Sequence, residues 1–503
     1  MKNIICFLFA CGCFAQAGSF DTTFDTDGKT TYCFALGVSY SSLDAGIQSS
    51  GKIVTYSTNY NSVGASLTRW NTNGSIDNAF GVNGLVNFTN TSPFHGNQGY
   101  YPYRMVIQSD DRILIMGTQQ GNLYPNAYWV VRLLPDGALD TSFNGTGYLD
   151  LLFGTQQDRG TCIALQPDGK ILVGGTSGNT AQYFTMARLN SNGTLDNSFG
   201  TAGKVQTPFA GEESFAQSIA VQTDGKILLG GYTVNIPHAK DFALIRYNDN
   251  GSIDTGFGTN GKVVTTISDN SDLITSLIVQ PDGKIIAGGF SSSENNPWMC
   301  MVRYLANGAV DNTFGVNGIV INTDDNSRNC SIARQVDGKI VMGGCYDGSF
   351  FLVIRYTTNG TKDTTFGTNG VVNPSIGAYG YASKVIIQPD NKIVACGVTA
   401  DAGGQACATA IRLSPGTLGV EEFERGNVVV YPNPTSGIVH IKIPYTNTKK
   451  YQATLYNLLG QKVLEQSDVV DSSTLNASDL HKGTYIIVLR NGDETVTKTL
   501  LLE

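Results

Sequence analysis

The residues in this chain best placed to do chemistry are an arginine and an aspartate eight positions apart. Arg188 precedes Asp196 and Arg246 precedes Asp254, and the same arginine stands at 69, 132, 188, 246, 303, 355 and 412. A guanidinium beside a carboxylate invites a catalytic or metal-binding reading. Seven equivalent copies argue against it, because a reaction needs one asymmetric constellation. The expectation is a structural ion pair, or a turn-bracing aspartate, in every repeat. Arg412 has no aspartate behind it at that spacing, so its expected mate is Asp21, near the other end of the chain.

Other reactive groups are scarce. Of the four histidines, His440 and His481 fall in the C-terminal segment, and His95 and His238 fall on loops of different repeats. No Gly-x-Ser-x-Gly elbow or His-Glu-x-x-His motif occurs. Glu212, Glu213, Asp324 and Asp325 could supply the paired carboxylates of a glycosidase or lyase, or simply solvate their loops. Residues 190–196 superficially resemble a calcium loop but lack its spaced acids and terminal glutamate. No cofactor and no metal are expected. Cys330 and Cys345 lie symmetrically about Asp337-Gly338, where a two-residue hairpin would set them opposite each other. Strand alternation then puts them at a hydrogen-bonded pair of wider Cα spacing. Cys396 and Cys407 flank one loop, and buried thiols are expected throughout.

The elements that must position these groups are short β-strands in a repeat of about 57 residues. One motif, Gln-x-x-Gly-Lys-Ile with variants, begins at Gln48, Gln108, Gln166, Gln222, Gln280, Gln335 and Gln388. The second runs from the arginine through Asn-Gly to Asp-x-x-Phe-Gly-x-x-Gly, as from Arg188 to Gly203. Branched and aromatic runs bounded by Gly, Asn and Asp give four strands per unit. In the third unit they are 162–166, 170–174, 183–189 and 204–207. Four antiparallel strands repeated radially describe a β-propeller. The chain opens with the tail of the second motif (Asp21, Phe24, Gly28) and its last unit stops at Arg412 without one. A strand over 29–34 would complete the last sheet. The expected fold is all-β: a seven-bladed propeller closed by its N-terminal strand, because an open sheet leaves unpaired edges.

The motif glutamine lies four residues before a lysine, or before Arg112 in the second unit, and Arg to Phe spans eleven in the six complete copies; both connections leave on one face. The other two vary in length and leave on the opposite face, which is the candidate binding face. Its loops hold Tyr60, Phe94, Tyr100, Tyr101, Tyr124, Tyr232, Tyr346, Tyr379 and Tyr381. Of these, Tyr101, Tyr124, Tyr346 and Tyr379 are the candidate ligand-binding residues, suited to sugar stacking or protein contact. Trp298, Phe184, Phe242 and Phe351, four or five residues before the motif arginine, are read as core.

Composition and the chain ends fix the setting. A formal charge of −8 leaves no basic surplus for nucleic acid. Residues 1–17, basic then apolar then Ala15-Gln16-Ala17, read as a signal peptide, too short to span a bilayer. No other segment is long and apolar enough to span one. Residues 18–413 form the repeat array, 414–427 a linker, and 428–503 a small β-sandwich of about seven strands.

Two stretches match known families. Residues 431–437 (YPNPTSG), 455–461 (LYNLLGQ) and 482–487 (KGTYII) resemble the type A C-terminal sorting domain of the type IX secretion system. That resemblance implies an Ig-like fold, a secretion machinery as partner, and delivery to the outer-membrane surface or the medium. The repeats resemble the delta-60 repeat family, which is regarded as propeller-forming and has no established activity. Units one, two and seven depart from its turn at Ser49-Ser50-Gly51, Asp110-Asp111-Arg112 and Asp390-Asn391-Lys392. The expected function is an exported, non-enzymatic module binding glycan or surface protein. The alternatives are an extracellular polysaccharide hydrolase or lyase on the same scaffold, and a structural surface-layer component.

Overall fold

The computed structural model describes residues 16–34, 40–59, 64–88, 99–120, 126–154, 157–209, 213–235, 239–293, 296–323, 330–346, 350–374, 376–416, 429–442, 450–457, 461–470, 472–491 and 494–502. It divides into two units, Met1–Thr417 and Leu418–Glu503.

In the first unit the third repeat sets the pattern. Arg159–Leu165, Ile171–Ser177, Tyr183–Leu189 and Lys204–Thr207 pair antiparallel in chain order. Every residue of Ile171–Ser177 is buried. A strand covered on both faces needs no polar alternation, so its sequence reads as one apolar and small-residue run. Sheets pack face to face: Phe184, Met186 and Phe199 share a core with Ile227, Leu229 and Tyr247 of the next repeat. Each such fully buried side chain contributes roughly 1.5–3 kcal/mol. Phe184, Phe242 and Phe351 are core as expected, whereas Trp298 is only half-buried.

The turns differ from the expected two-residue hairpin. The Gln335 N–H donates to Lys339 O at 2.9 Å and Gly338 N–H to Gln335 O at 3.0 Å. The connection is therefore three residues, a turn followed by a left-handed residue. The extra residue shifts the pairing to Ser331↔Gly343, so Cys330 does not face Cys345. In the units that depart at this turn its geometry survives: Asp111 and Asn391 take the glycine position with φ of 66° each. Asp and Asn tolerate this region through local hydrogen bonding.

Among the described residues these strands make five four-stranded sheets and one eight-stranded sheet, in which two four-stranded halves meet at one bridge, Lys240 to Ser271. One sheet draws on both ends of the repeat array. Lys29–Cys33 lies antiparallel along Ala406–Leu413, with Lys29 opposite Ile411 and Cys33 opposite Cys407. Those two cysteines form a disulfide with Cα atoms 3.9 Å apart, which overturns the expected thiol at Cys407. Cys330, Cys345 and Cys396 are buried thiols. The face of this sheet packs on the sheet of Tyr40–Ile47, joining Phe24, Phe34 and Ala408 to Ala45, Ile53 and Trp70.

The second unit is two sheets on one core. Val429–Tyr431, Ile438–Lys442 and Ser473–Asn476 form the smaller sheet. Lys462–Val469, Tyr451–Asn457, Gly483–Asn491 and Glu494–Leu502 form the larger. Val439, Ile441 and Leu475 meet Leu455, Ile487 and Leu500 between them. Among the described residues no helix is long and apolar enough to cross a membrane.

Candidate functional site

The repeated arginine sits on the third strand of each sheet, where the strand's last residues place it beside the following turn. At Arg188 the Nε donates to Asp196 Oδ2 at 2.7 Å. The guanidinium lies 4.7 Å over the ring of Phe199. Lys170, from the first motif, reaches the same carboxylate oxygen at 3.3 Å. Asp196 Oδ1 accepts the Ser198 N–H and hydroxyl at 3.1 and 2.6 Å. Arg188 Nη1 points out of its own repeat and donates to Asp249 O of the next. Both motifs thus meet at one edge of the sheet, as their fixed spacing requires.

The set recurs with little change. The Nε–Oδ2 distance is 2.7 Å at Arg69–Asp77 and Arg132–Asp140, and 2.8 Å at Arg246–Asp254, Arg303–Asp311 and Arg355–Asp363. Arg412 pairs with Asp21 at 2.7 Å, as its spacing leads one to expect, and its ring partner is Phe24 at 4.7 Å. Where the first motif has no lysine, Arg112 takes its place at 3.0 Å from Asp140. The outward Nη1 contact also recurs: Arg69 to Pro135 O, Arg132 to Ser191 O, Arg246 to Ala306 O, Arg303 to Thr358 O and Arg355 to Pro415 O. Arg412 donates to Thr72 O at 2.6 Å, so the last repeat holds the first.

These carboxylates are occupied. Burial alone would raise Asp21, but hydrogen bonds from Thr23 and Lys392 and the charge of Arg412 hold it down to about 2. Burial likewise opposes ionisation at Asp311, and the Thr313 hydroxyl and N–H with Arg303 and Lys284 hold it to about 2. Asp77, Asp140, Asp196, Asp254 and Asp363 are lowered in the same way. Groups so depressed carry no proton to give at neutral pH, which is unsuited to general-acid chemistry. Burial pushes the Cys162 and Cys396 thiols up to about 12, away from nucleophilic thiolate.

Of the four candidate ligand-binding residues, Tyr124 lies outside the described residues. Tyr101 and Tyr346 are on strands, paired with Thr118 and Phe350. Tyr379 is 46% exposed, immediately before Gly380–Ile387. No described contact brings these residues together. Tyr60, Phe94, His95, Glu212, His238, Asp324 and Asp325 also lie outside the described residues. Tyr232 stacks on Phe215 at 4.9 Å with Lys240 5.0 Å over its ring. Sequence reading did not single out a cavity of about 620 Å³ lined by first strands of the repeats. Its wall is aliphatic (Ile47, Ile107, Leu165, Ile387) apart from Arg334 and Lys384. Lys384 is held 3.0 Å from the buried Asp44, which also accepts the Met105 N–H at 2.9 Å. The signal was in the sequence: the residue before the motif glutamine is Ile, Leu or Val in six units and arginine in one, Arg334. Among the described residues no group of His, Cys, Asp and Glu could hold a metal.

Known proteins place both units. A model described as a domain of unknown function (DUF5122) β-propeller matches residues 108–143, 166–199, 222–257, 280–314 and 335–366. A secretion-system C-terminal sorting domain matches residues 429–503. No curated protein matches the chain in sequence. Similar solved structures include Sqt1 from Chaetomium thermophilum, 14% identical with a TM-score of 0.41, covering 76% of this chain and 97% of that one. The β-propeller domain of the Trilobed protease from Pyrococcus furiosus is 12% identical with a TM-score of 0.40, covering 75% and 99%. The endo-arabinase from Bacteroides thetaiotaomicron VPI-5482 is 11% identical with a TM-score of 0.32, covering 52% and 95%. The chain therefore carries a DUF5122 β-propeller repeat region followed by a type IX secretion sorting domain, which marks it for export to the outer-membrane surface or beyond.

Proposed function

We propose that the exported chain is a non-enzymatic binding module: a seven-bladed ring over residues 18–413 that presents its variable loops to glycan or surface protein. Residues 414–427 link it to an Ig-like sandwich, 428–503, that engages the secretion machinery, and an N-terminal leader supplies the first export step. The observation that carries the reading is the fate of the repeated charges. All seven repeated arginines are held by an aspartate at the fixed-length edge and donate to a backbone carbonyl of the neighbouring repeat. Recognition then falls to the other edge, where the repeats differ in loop length. Closure is supported by the Arg412–Thr72 contact, the Lys29–Cys33 pairing and the core shared by Phe24 and Trp70. Screening the purified protein on a glycan array, with products analysed for bond cleavage, tests the reading. Binding without turnover is expected. Turnover abolished by removing a variable-face carboxylate would establish the hydrolase or lyase instead, and a blank array with abundant surface protein would favour a structural role.

A further inference from the structure

The last repeat lacks a continuous turn between its third and fourth strands, and segments from the two ends of the repeat array build it. In the complete repeats this turn places a glycine against the phenylalanine of the preceding repeat, as Gly193 does on Phe143 and Gly251 on Phe199. The residue before that glycine accepts a backbone hydrogen bond from the same neighbour: Asn192 O from Asn144 N–H at 2.7 Å, and Asn250 O from Gly200 N–H at 2.8 Å. At Phe366 the glycine is Gly18, and Ala17 O accepts the Gly367 N–H at 2.8 Å. Gly18 N–H donates to Ser414 O at 2.9 Å, tying the two ends into one turn. Gln16 is drawn in as well, its side-chain amide donating to Gly367 O at 3.1 Å and its carbonyl accepting the Ser19 N–H at 3.0 Å.

We propose that the leader is cut between Ala15 and Gln16 rather than after Ala17, and this rests on the leader reading above. Both bonds follow a small-x-small triplet, Cys13-Phe14-Ala15 or Ala15-Gln16-Ala17, so the processing rule accepts either. The fold separates them. A cut after Ala17 removes the acceptor that the other repeats supply from within their own turns, and leaves the Gly367 N–H without it.

The full-length protein collected after export and digested with trypsin gives a direct answer, because no lysine or arginine lies between Lys2 and Lys29. The expected N-terminal peptide is 16–29, searched with its glutamine intact and with ammonia lost. A peptide 18–29 overturns the proposal, and a peptide 3–29 overturns the leader reading itself. As a second measurement, full chains produced to start at Gln16 and at Gly18 are melted side by side. The longer is expected to melt higher, and equal melting would remove the structural basis.

Discussion

Arg188 has one oxygen of Asp196, one aromatic ring and one carbonyl of the next repeat as partners, and the last of these was invisible in the sequence. A side-chain pair at constant spacing is legible because both identities are fixed. A backbone acceptor can be any residue, and here it is Pro135, Ser191, Asp249, Ala306, Thr358, Pro415 or Thr72. Removing an aspartate strands a buried guanidinium, so Asp196→Ala is expected to cost about 3–5 kcal/mol. Asp21→Ala is expected to lower the melting temperature further, because Asp21 and Arg412 are 391 residues apart and their pair also anchors a chain end. The gap should widen on reduction of the disulfide, and equal losses under reduction would count against closure. The carboxylates also set an acid limit. A carboxyl whose folded pKa lies below its ordinary value of 3.8 adds stability above about pH 4 and loses it as the pH falls toward 2. Thermal melts should be flat from about pH 5 to 8 and fall steeply between about 4 and 2.

Elements were read from the sequence where turn chemistry and period agreed, as in Tyr183–Leu189 and Lys204–Thr207. The hairpin at Asp337-Gly338 was read one residue short, because Asp-Gly suits both a two-residue turn and the last two positions of a three-residue one. That single residue is why Cys330 and Cys345 were set opposite each other. The disulfide that does form was recoverable. Lys204 pairs with Ala187, one before Arg188; placing Lys29 one before Arg412 in the same way sets Cys33 against Cys407. Their separation of 374 residues hides this from any local pattern. Closing so long a loop gives the disulfide up to about 5 kcal/mol through the unfolded state, and export provides the oxidising setting. Cys33→Ser should therefore lower stability by several kcal/mol in oxidised protein and by little in reduced protein. Gly193→Ala tests the turns: the added carbon would meet the Phe143 ring at 2.7 Å at a φ of +87°. Gly18→Ala, 2.7 Å from Gly367 N at +81°, should be as damaging although it lies near the chain terminus.

For the whole molecule, architecture and address were legible while the ligand was not. A propeller repeats its frame, so sequence self-comparison exposes the frame and averages away what is unique to one loop. Tyr379, exposed beside Gly380–Ile387, and Arg334, which stands in the cavity wall where the other repeats carry Ile, Leu or Val, are the unrepeated features that a binding screen should target. Deleting residues 429–503 should leave the chain folded in its first unit but retained in the periplasm, measured by fractionation. Closure of the proposed ring depends on Lys29–Cys33 completing the last sheet. A non-reducing tryptic digest with thiols alkylated beforehand reads this directly. Peptide 30–52, which holds Cys33, should emerge linked to peptide 393–412 through Cys407, with Cys396 alkylated. Recovery of Cys33 alkylated, or joined to any other cysteine, would contradict the closed arrangement.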